Sequence, residues 1–302
     1  MRNWVAVVVL VGLAAGSAMA GEKLVFSSDV AMVMVQATVT ARDGRSVENL
    51  AANDFEVKEN GAPQTLTYFG REEVPASYIL LVDVSGSMLK RIPKVVFALE
   101  RFVGTVRPDD TARLVKFDTT TEVMAPDTSD QAVLARAVDD LSLHFFGGTA
   151  LYEVLYSTFR HRTEEMSFNR SVSPRRWALI VLTDGKDESS RGSFRRDVID
   201  AARRADLAVY PLIIGRTDGF LERLAEETGG RAFTIDHDGD TVEAYETIGT
   251  EVRAQYTLGY VPSAANVPDA WRKLQVSVRG RKAEVRHRAG YYVPGGSSVA
   301  TK

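Results

Sequence analysis

Two apolar runs of strand type each end in an aspartate, and this feature constrains the fold of the chain more than any other. The run at residues 77–82 leads into Asp83, and the run at residues 177–183 leads into Asp184. Continuous apolar runs of this length are typical of strands that are buried on both faces of a parallel sheet. The carboxyl ends of such strands share one edge of the sheet, where open α/β sheets bind ligands. The sequence therefore predicts two carboxylates close together at a ligand-binding edge.

Hydroxyl groups accompany both carboxylates. Asp83 opens the pentad Asp83-Val84-Ser85-Gly86-Ser87, and a later loop carries Gly147-Gly148-Thr149. Hard oxygen donors of this kind suit Mg²⁺, Mn²⁺ or Ca²⁺. Asp, Ser and Gly are also frequent in ordinary turns, so the pentad alone is a weak signal. Its combination with Thr149 and Asp184, in this order and at strand ends, predicts a metal site made of Asp83, Ser85, Ser87, Thr149 and Asp184.

The middle of the chain, residues 76–254, alternates between strand-type and helix-type patterns. Apolar residues at helical spacing predict helices at residues 92–106, 131–141, 151–162, 194–205, 220–228 and 240–253. Further strands are predicted at residues 112–117 and 207–214. Strands that alternate with helices indicate an α/β fold with a doubly wound, mostly parallel, Rossmann-like sheet.

Two shorter segments of β character, residues 24–73 and 255–293, flank this domain. Apolar and polar residues alternate with a period of two in both, as at residues 33–40 and 256–260. Each segment has too few strands to be stable alone. Because domain termini often lie close together, we expect the two segments to pack into one small β-sandwich-like module, with the α/β domain inserted between them. A pair of separate hairpins on the large domain is the alternative, and the Gly- and Ser-rich tail at residues 294–302 is expected to be flexible.

The first twenty residues are typical of an export signal. Arg2 precedes an apolar stretch at residues 4–13, and Ala18-Met19-Ala20 is a small-residue cleavage pattern, which predicts cleavage after Ala20. An uncleaved membrane anchor is the alternative, but the apolar stretch is shorter than the roughly 20 residues of a membrane span. We therefore expect a periplasmic or secreted protein with no transmembrane helix in the mature chain.

Composition excludes several classes of function. The net charge of −3 gives no overall attraction to nucleic acid. The absence of cysteine excludes disulfides, thiol catalysis and thiolate metal sites.

The pentad, Thr149 and Asp184 together resemble the metal-ion-dependent adhesion site of the von Willebrand factor type A (VWA) domain. The resemblance covers residues 76–254, and the flanks resemble those of bacterial secreted VWFA-related proteins. It implies that Ser85 and Ser87 bind the ion directly, and that Thr149 does so directly or through water. It also implies that Asp83 and Asp184 act through waters or as hydrogen-bond acceptors. An Asp or Glu of a protein or surface partner would then complete the coordination of Mg²⁺, or of Mn²⁺ or Ca²⁺.

The residues beside Thr149 and Asp184 in the chain are candidates for the rim of the site, and the resemblance suggests a conformational role for the last helix. Gly148, His144, Phe145, Phe146 and Asp187 are the candidate rim residues, although the two phenylalanines could equally pack the loop and Asp187 could serve a turn. In some domains of this family, ligand binding is coupled to a shift of the last helix. Here that helix leads into the β module, so occupancy of the site would change the angle between the two modules.

Two other functions remain open from the sequence. The domain could be purely structural, with a metal site that no partner uses. It could also be a metal-dependent phosphohydrolase with Asp83 as nucleophile, but enzymes of the haloacid dehalogenase type need a second carboxylate two residues later, where this chain has Ser85. Ser85 also lacks the preceding glycine of a hydrolase nucleophile elbow. We therefore expect a binding protein rather than an enzyme.

Overall fold

Within the part of the chain that the structure describes, six strands form the central sheet, and the strands in its middle are apolar on both faces. The computed structural model describes residues 32–42, 44–71, 73–141, 147–168, 175–190, 194–215, 219–263 and 267–293. The central strands are β5 (Ala76–Asp83), β6 (Thr111–Phe117), β7 (Thr121–Thr128), β8 (Arg176–Thr183), β9 (Ala208–Ile213) and β10 (Phe233–Thr234). They lie in the order β10-β9-β8-β5-β6-β7. All neighbouring pairs are parallel except β6 and β7. Every residue of β5 is buried, as expected for the middle of such a sheet.

Helices cover both faces of this sheet. The helices are α1 (Ile92–Val103), α2 (Gln131–Leu141), α3 (Leu151–Phe168), α4 (Phe194–Arg204), α5 (Phe220–Thr228) and α6 (Asp238–Arg253). Helices α1, α2 and α6 pack on one face, against Tyr78 and Leu80 of β5. Helices α3, α4 and α5 pack on the other face, against Ile79 and Leu81. Successive residues of β5 thus enter opposite cores, and the predicted doubly wound α/β fold is confirmed.

Among the described residues, the flanking segments form two four-stranded antiparallel sheets. The N-terminal flank supplies β1 (Val33–Thr40), β2 (Phe55–Glu59), β3 (Ala62–Gln64) and β4 (Leu66–Gly70). The C-terminal flank supplies β11 (Tyr256–Tyr260), β12 (Trp271–Val278), β13 (Glu284–Arg286) and β14 (Gly290–Tyr292). One sheet has the order β13-β1-β11-β4 and the other β14-β12-β2-β3. Both sheets therefore contain strands from each end of the chain, and their apolar faces share one core. We call these eight strands the β module.

The turn between β2 and β3 has the backbone that its sequence predicts. Asn60 and Gly61 both have positive φ values, 50° and 85°. This is the conformation of a tight hairpin turn of the primed type, which Asn-Gly favours.

Some elements differ from those that the sequence predicts. Strand β7 was not predicted, because its sequence contains Pro126 and two acidic residues; it is an antiparallel edge strand, where a proline is tolerated. The short strands β3, β10 and β14 were also not predicted. Helix α3 continues to Phe168, beyond the predicted end at residue 162.

Several predicted features lie outside the described residues. These are the export signal at residues 1–20, residues 24–31 of the N-terminal segment, and the tail at residues 294–302. Of the helices that the structure does describe, none combines the length and the apolar character needed to cross a bilayer.

A buried arginine fixes the end of α6. Arg176, the first residue of β8, donates through Nη1 to the carbonyl of Val252 at 3.0 Å and also to that of Arg253. Its Nη2 donates to the carbonyl of Gln255 at 2.6 Å. The last carbonyls of a helix have no partners within the helix, so a cation at this position both satisfies them and complements the helix dipole.

Candidate functional site

Asp83 is held rigidly at the carboxyl edge of the sheet. It is the last residue of β5 and has no exposed surface. Its Oδ1 accepts the backbone N–H of Ser85 at 2.9 Å, and its Oδ2 accepts the hydroxyl of Thr183 at 2.6 Å. Burial raises the pKa of the Asp83 carboxyl against the effect of these bonds, and the nearby charge of Asp184 acts in the same direction. A cation beside Asp83 would favour its charged form.

The two serines of the pentad lie side by side. The Oγ atoms of Ser85 and Ser87 are 3.2 Å apart. Mg²⁺ holds its oxygen ligands at about 2.1 Å in octahedral geometry, which places neighbouring ligand oxygens about 3 Å apart. The serine pair therefore fits two adjacent positions around such an ion. Ser85 is buried, whereas Ser87 is exposed in the 3-10 turn Gly86–Arg91 that leads into α1.

Asp184 joins this group from the neighbouring strand β8. Burial acts to raise the pKa of the Asp184 carboxyl, but hydrogen bonds from Ser87 and Lys186 outweigh it and hold the pKa below its usual range. The Lys186 ammonium lies 3.1 Å from Asp184 Oδ2, and the Lys186 backbone N–H donates to Oδ1 at 3.2 Å. Asp184 thus points toward the serine pair and already neighbours one positive charge.

Thr149 lies between the two aspartate loops. Its carbonyl accepts the N–H groups of Glu188 and Ser189, both at 2.9 Å, and the carbonyl of Gly147 accepts the N–H of Gly86 at 3.3 Å. These bonds connect the loop of Thr149 to the loop after β8 and to the pentad. The Thr149 side chain is buried in this junction. The structure therefore brings together all three loops that carry the five predicted ligands.

Gly148 lies close to the loop after β8. A Cβ atom at this position would lie 2.6 Å from the Ser189 hydroxyl oxygen. This distance is shorter than any normal carbon–oxygen contact, so a side chain here would force the Ser189 side chain to rotate away.

Asp187, another predicted rim residue, has a structural partner. Its Oδ1 accepts the Ser190 hydroxyl at 2.6 Å and the backbone N–H of Tyr152 at 3.3 Å. Tyr152 is in the first turn of α3, so Asp187 satisfies a free N–H at a helix start, in agreement with the turn role considered above. The other rim candidates, His144, Phe145 and Phe146, lie outside the described residues.

Three residues near the site were not predicted. Thr183 appeared only as the end of a strand, yet it fixes Asp83. Lys186 had no assigned role, although its position two residues after Asp184 is a signal for a local ion pair. Leu89, two residues after Ser87, is 55% exposed; single apolar side chains of this kind are common on protein surfaces and do not by themselves mark a contact site.

The five predicted ligands offer only hydroxyl and carboxylate oxygens from their side chains. Within the described residues, no group of three or more His, Cys, Asp or Glu side chains forms a metal cluster. A site here would instead combine two carboxylates with the hydroxyls of Ser85, Ser87 and Thr149. Such a donor set is hard and suits Mg²⁺ or Mn²⁺ better than zinc.

Comparison with known proteins identifies the fold family. The sequence model of the von Willebrand factor type A domain family matches residues 79–247, which is more than half of the chain. A von Willebrand factor type A structure from Catenulispora acidiphila aligns with 87% of this chain and 72% of its own, at 15% identity and a TM-score of 0.52. The structure of BatB from Bacteroides thetaiotaomicron aligns with 59% of this chain and 97% of its own, at 21% identity and a TM-score of 0.45. No curated protein sequence matches the chain significantly. The sheet order, the helices on both faces and the matched residues show that the chain belongs to the von Willebrand factor type A domain family.

Proposed function

We propose that this chain is an exported, non-enzymatic protein that binds an acidic group of a protein or surface partner through a divalent cation, Mg²⁺ by preference. The observation that carries the proposal is the pair of serine hydroxyls, 3.2 Å apart, beside the buried Asp83 and Asp184. Membership of a family of protein-binding domains supports it. The export signal predicted in residues 1–20 supports action outside the cytoplasm.

The residues of the site have separate tasks in this proposal. Ser85, Ser87 and Thr149 hold the ion through neutral oxygens. Asp83 and Asp184 balance its charge and orient the hydroxyls. Because three of the five donors are neutral, a bound ion stays electrophilic and offers a coordination position to a carboxylate oxygen of the partner.

Ion binding is tested by isothermal titration with Mg²⁺. We expect the wild type to bind and the double variant Ser85→Ala/Ser87→Ala to lose binding, because it lacks two adjacent ligands. Ser277→Ala, on the exposed side of β12, serves as the control and should bind as the wild type does. Heat release that is unchanged in the double variant would rule out this ion site.

Partner binding is tested on immobilised protein with periplasmic or culture-supernatant fractions, in Mg²⁺ and in EDTA. We expect a protein that is retained by the wild type in Mg²⁺ and released by EDTA. The double serine variant should not retain it under either condition. A partner that stays bound in EDTA would contradict the proposal, and turnover of a phosphate ester would favour an enzyme.

The Lys186 ion pair favours a second candidate, a structural domain with an unused ion site. The ammonium at 3.1 Å from Asp184 supplies a positive charge that an ion would otherwise supply. If the proposed function is correct, Lys186 only competes with the ion, and Lys186→Met should tighten Mg²⁺ binding by roughly two- to fivefold. If neither this variant nor the wild type binds Mg²⁺, the structural candidate is favoured.

A further inference from the structure

A second candidate site lies at one end of the β module, where two turns meet. The first turn, residues 41–46, follows β1; the second, residues 279–283, precedes β13. The pairing of Thr40 with Glu284 brings the two turns side by side. Between them is a groove of about 610 Å³, whose lining includes Thr40, Arg42, Arg231, Lys282, Glu284 and Arg286.

The groove and its margins are strongly basic, although the whole chain has a net charge of −3. The two turns carry five cations, which are Arg42, Arg45, Arg279, Arg281 and Lys282. Against these, the same stretch has only Asp43 and, at the start of β13, Glu284. All five cations are exposed, and Arg231 adds a sixth from the α/β domain. Net charge alone therefore conceals a local excess of positive charge.

Three of these six cations have no partner among the residues that the structure describes. Arg42, Arg281 and Lys282 make no ion pair or side-chain hydrogen bond with any residue that the structure describes. On surfaces of mixed charge, exposed cations commonly lie near acidic partners. Three unpaired cations on two adjacent turns are instead a local electrostatic field that attracts anions.

The floor of the groove adds a buried guanidinium. Arg286 Nη2 lies 2.6 Å from Glu251 Oε1, and Arg231 Nη1 lies 3.4 Å from the same oxygen. Two cations thus share one carboxylate. Nη1 of Arg286 is buried and has no hydrogen-bond partner among the described residues. The two guanidiniums carry one positive charge more than their shared carboxylate, which adds positive potential beneath the groove.

We propose that this groove binds phosphate groups, presented either by an anionic lipid headgroup or by a free oligophosphate. Guanidinium groups match the oxygens of phosphate in a bidentate geometry, and four of the six cations are arginines at the turns. Exposed cations are screened by salt, so they select ligands of high charge density over single carboxylates. The groove is open between two turns, which suits a phosphate presented on a surface or at the end of a chain.

The proposal is tested with a variant that removes the three cations without partners, Arg42→Ala/Arg281→Ala/Lys282→Ala. The control, Arg101→Ala/Arg136→Ala/Arg196→Ala, removes the same charge from exposed positions on three different helices. The probes are tripolyphosphate, vesicles of phosphatidylcholine, and vesicles of phosphatidylcholine with phosphatidylglycerol. All measurements contain EDTA, so that the outcome does not depend on the ion site at Asp83. Circular dichroism checks that both variants are folded.

We expect the wild type and the control variant to bind at least one phosphate probe and to ignore pure phosphatidylcholine. The groove variant should lose affinity on the order of a hundredfold. Binding to phosphatidylglycerol vesicles alone would identify a lipid headgroup as the source, and binding to tripolyphosphate alone a free phosphate. Equal binding by the groove and control variants, or no binding by the wild type, would overturn the proposal.

Discussion

Single residues show how this chain stabilises negative charge in its interior. Asp83 is buried at the sheet edge and Glu59 is buried in the β module. Glu59 Oε2 accepts the hydroxyls of Tyr260 at 2.6 Å and Tyr291 at 2.7 Å, and Oε1 pairs with the buried Arg272. Glu59 is thus fully partnered inside the protein, whereas Asp83 accepts two hydrogen bonds and lies beside a second carboxylate, Asp184. The first arrangement stabilises the fold, and the second is the one that we propose to hold a cation.

Stability at acidic pH is predicted to depend on Glu59. Burial acts to raise its pKa, but the bonds from Tyr260, Tyr291 and Arg272 outweigh burial and lower it. A carboxyl whose folded pKa is depressed stabilises the protein above its unfolded pKa of about 4.3, and this contribution is lost as pH falls through the folded pKa. We therefore expect the free energy of unfolding of the wild type to fall in this range. Urea denaturation at a series of pH values measures it.

The matched variants for this experiment are Glu59→Gln and Glu56→Gln. Glu59→Gln leaves Arg272 buried without a counter-charge and should cost about 3 kcal/mol at pH 7. Its difference from the wild type should shrink toward acidic pH. Glu56 pairs with Lys58 at the surface, so Glu56→Gln should change the free energy of unfolding by less than about 1 kcal/mol. A difference between Glu59→Gln and the wild type that does not change with pH would contradict the assignment.

At the scale of elements, the last turn of α6 is held in place by side chains from outside the helix and from its own end. The first residue of β8, Arg176, donates to three carbonyls at and beyond the end of the helix. Arg253, in the last turn of α6, also approaches Asp110 Oδ2 at 3.7 Å. Strand β8 thus leads into the loop of Asp184 at its carboxyl end, and at its amino end it carries Arg176, which holds the end of α6.

Removal of this anchor should destabilise α6. Arg176→Met keeps much of the side-chain volume but removes the donors, and we expect a loss of roughly 3 kcal/mol in the free energy of unfolding. Arg176→Lys should recover little of it, because one ammonium cannot reproduce the planar fork of the guanidinium. Hydrogen exchange should show faster exchange in the last turn of α6 in both variants. Full recovery by Arg176→Lys would show that charge alone, without fork geometry, holds the helix.

At the scale of the whole molecule, the β module and the α/β domain are joined by several polar contacts. Three of them link helices or loops of the α/β domain to the C-terminal strands or the segments beside them: Glu251 with Arg286 at 2.6 Å, Asp206 with Arg288 at 2.7 Å, and the Arg204 guanidinium over the Tyr292 ring at 3.7 Å. Arg176 also holds the end of α6. A shift of this helix would therefore have to break the hydrogen bonds of Arg176 and the ion pair of Glu251 with Arg286. This opposes the change of angle that the sequence suggested.

We therefore expect small-angle scattering profiles in Mg²⁺ and in EDTA to superimpose. The variant Glu251→Gln/Arg204→Ala, which removes two of the three contacts, should show a larger radius of gyration. A wild-type profile that changes with Mg²⁺ would show that α6 does transmit occupancy of the site to the β module, as the family resemblance implies.

The sequence predicted those parts of the fold that bury continuous apolar surface. Helix α5 has the predicted bounds, 220–228, and β8 begins one residue before the predicted run. Strand β7 was missed, because an edge strand needs little apolar surface and its pattern is interrupted by Pro126. The proximity of Asp83 and Asp184 could be predicted, because both follow neighbouring parallel strands. Their role as ligands of an ion stays a prediction. The pairing of Lys186 with Asp184 was missed although the two residues are only two positions apart, because it depends on where their side chains point. The basic groove could not be predicted, since it brings together two turns that are far apart in sequence.

The interleaving of the two flanks in the β module also determines the order in which the protein can be assembled. Strand β1 pairs with β11 and β13, so that Thr40 meets Glu284. During synthesis, the N-terminal strands leave the ribosome long before the strands that complete their sheets. The core residues of the α/β domain all lie between these flanks, so this domain can fold first, and the last strands then complete the two sheets of the β module. A nascent chain halted after α6 would thus carry the complete core of the α/β domain beside two half-built sheets.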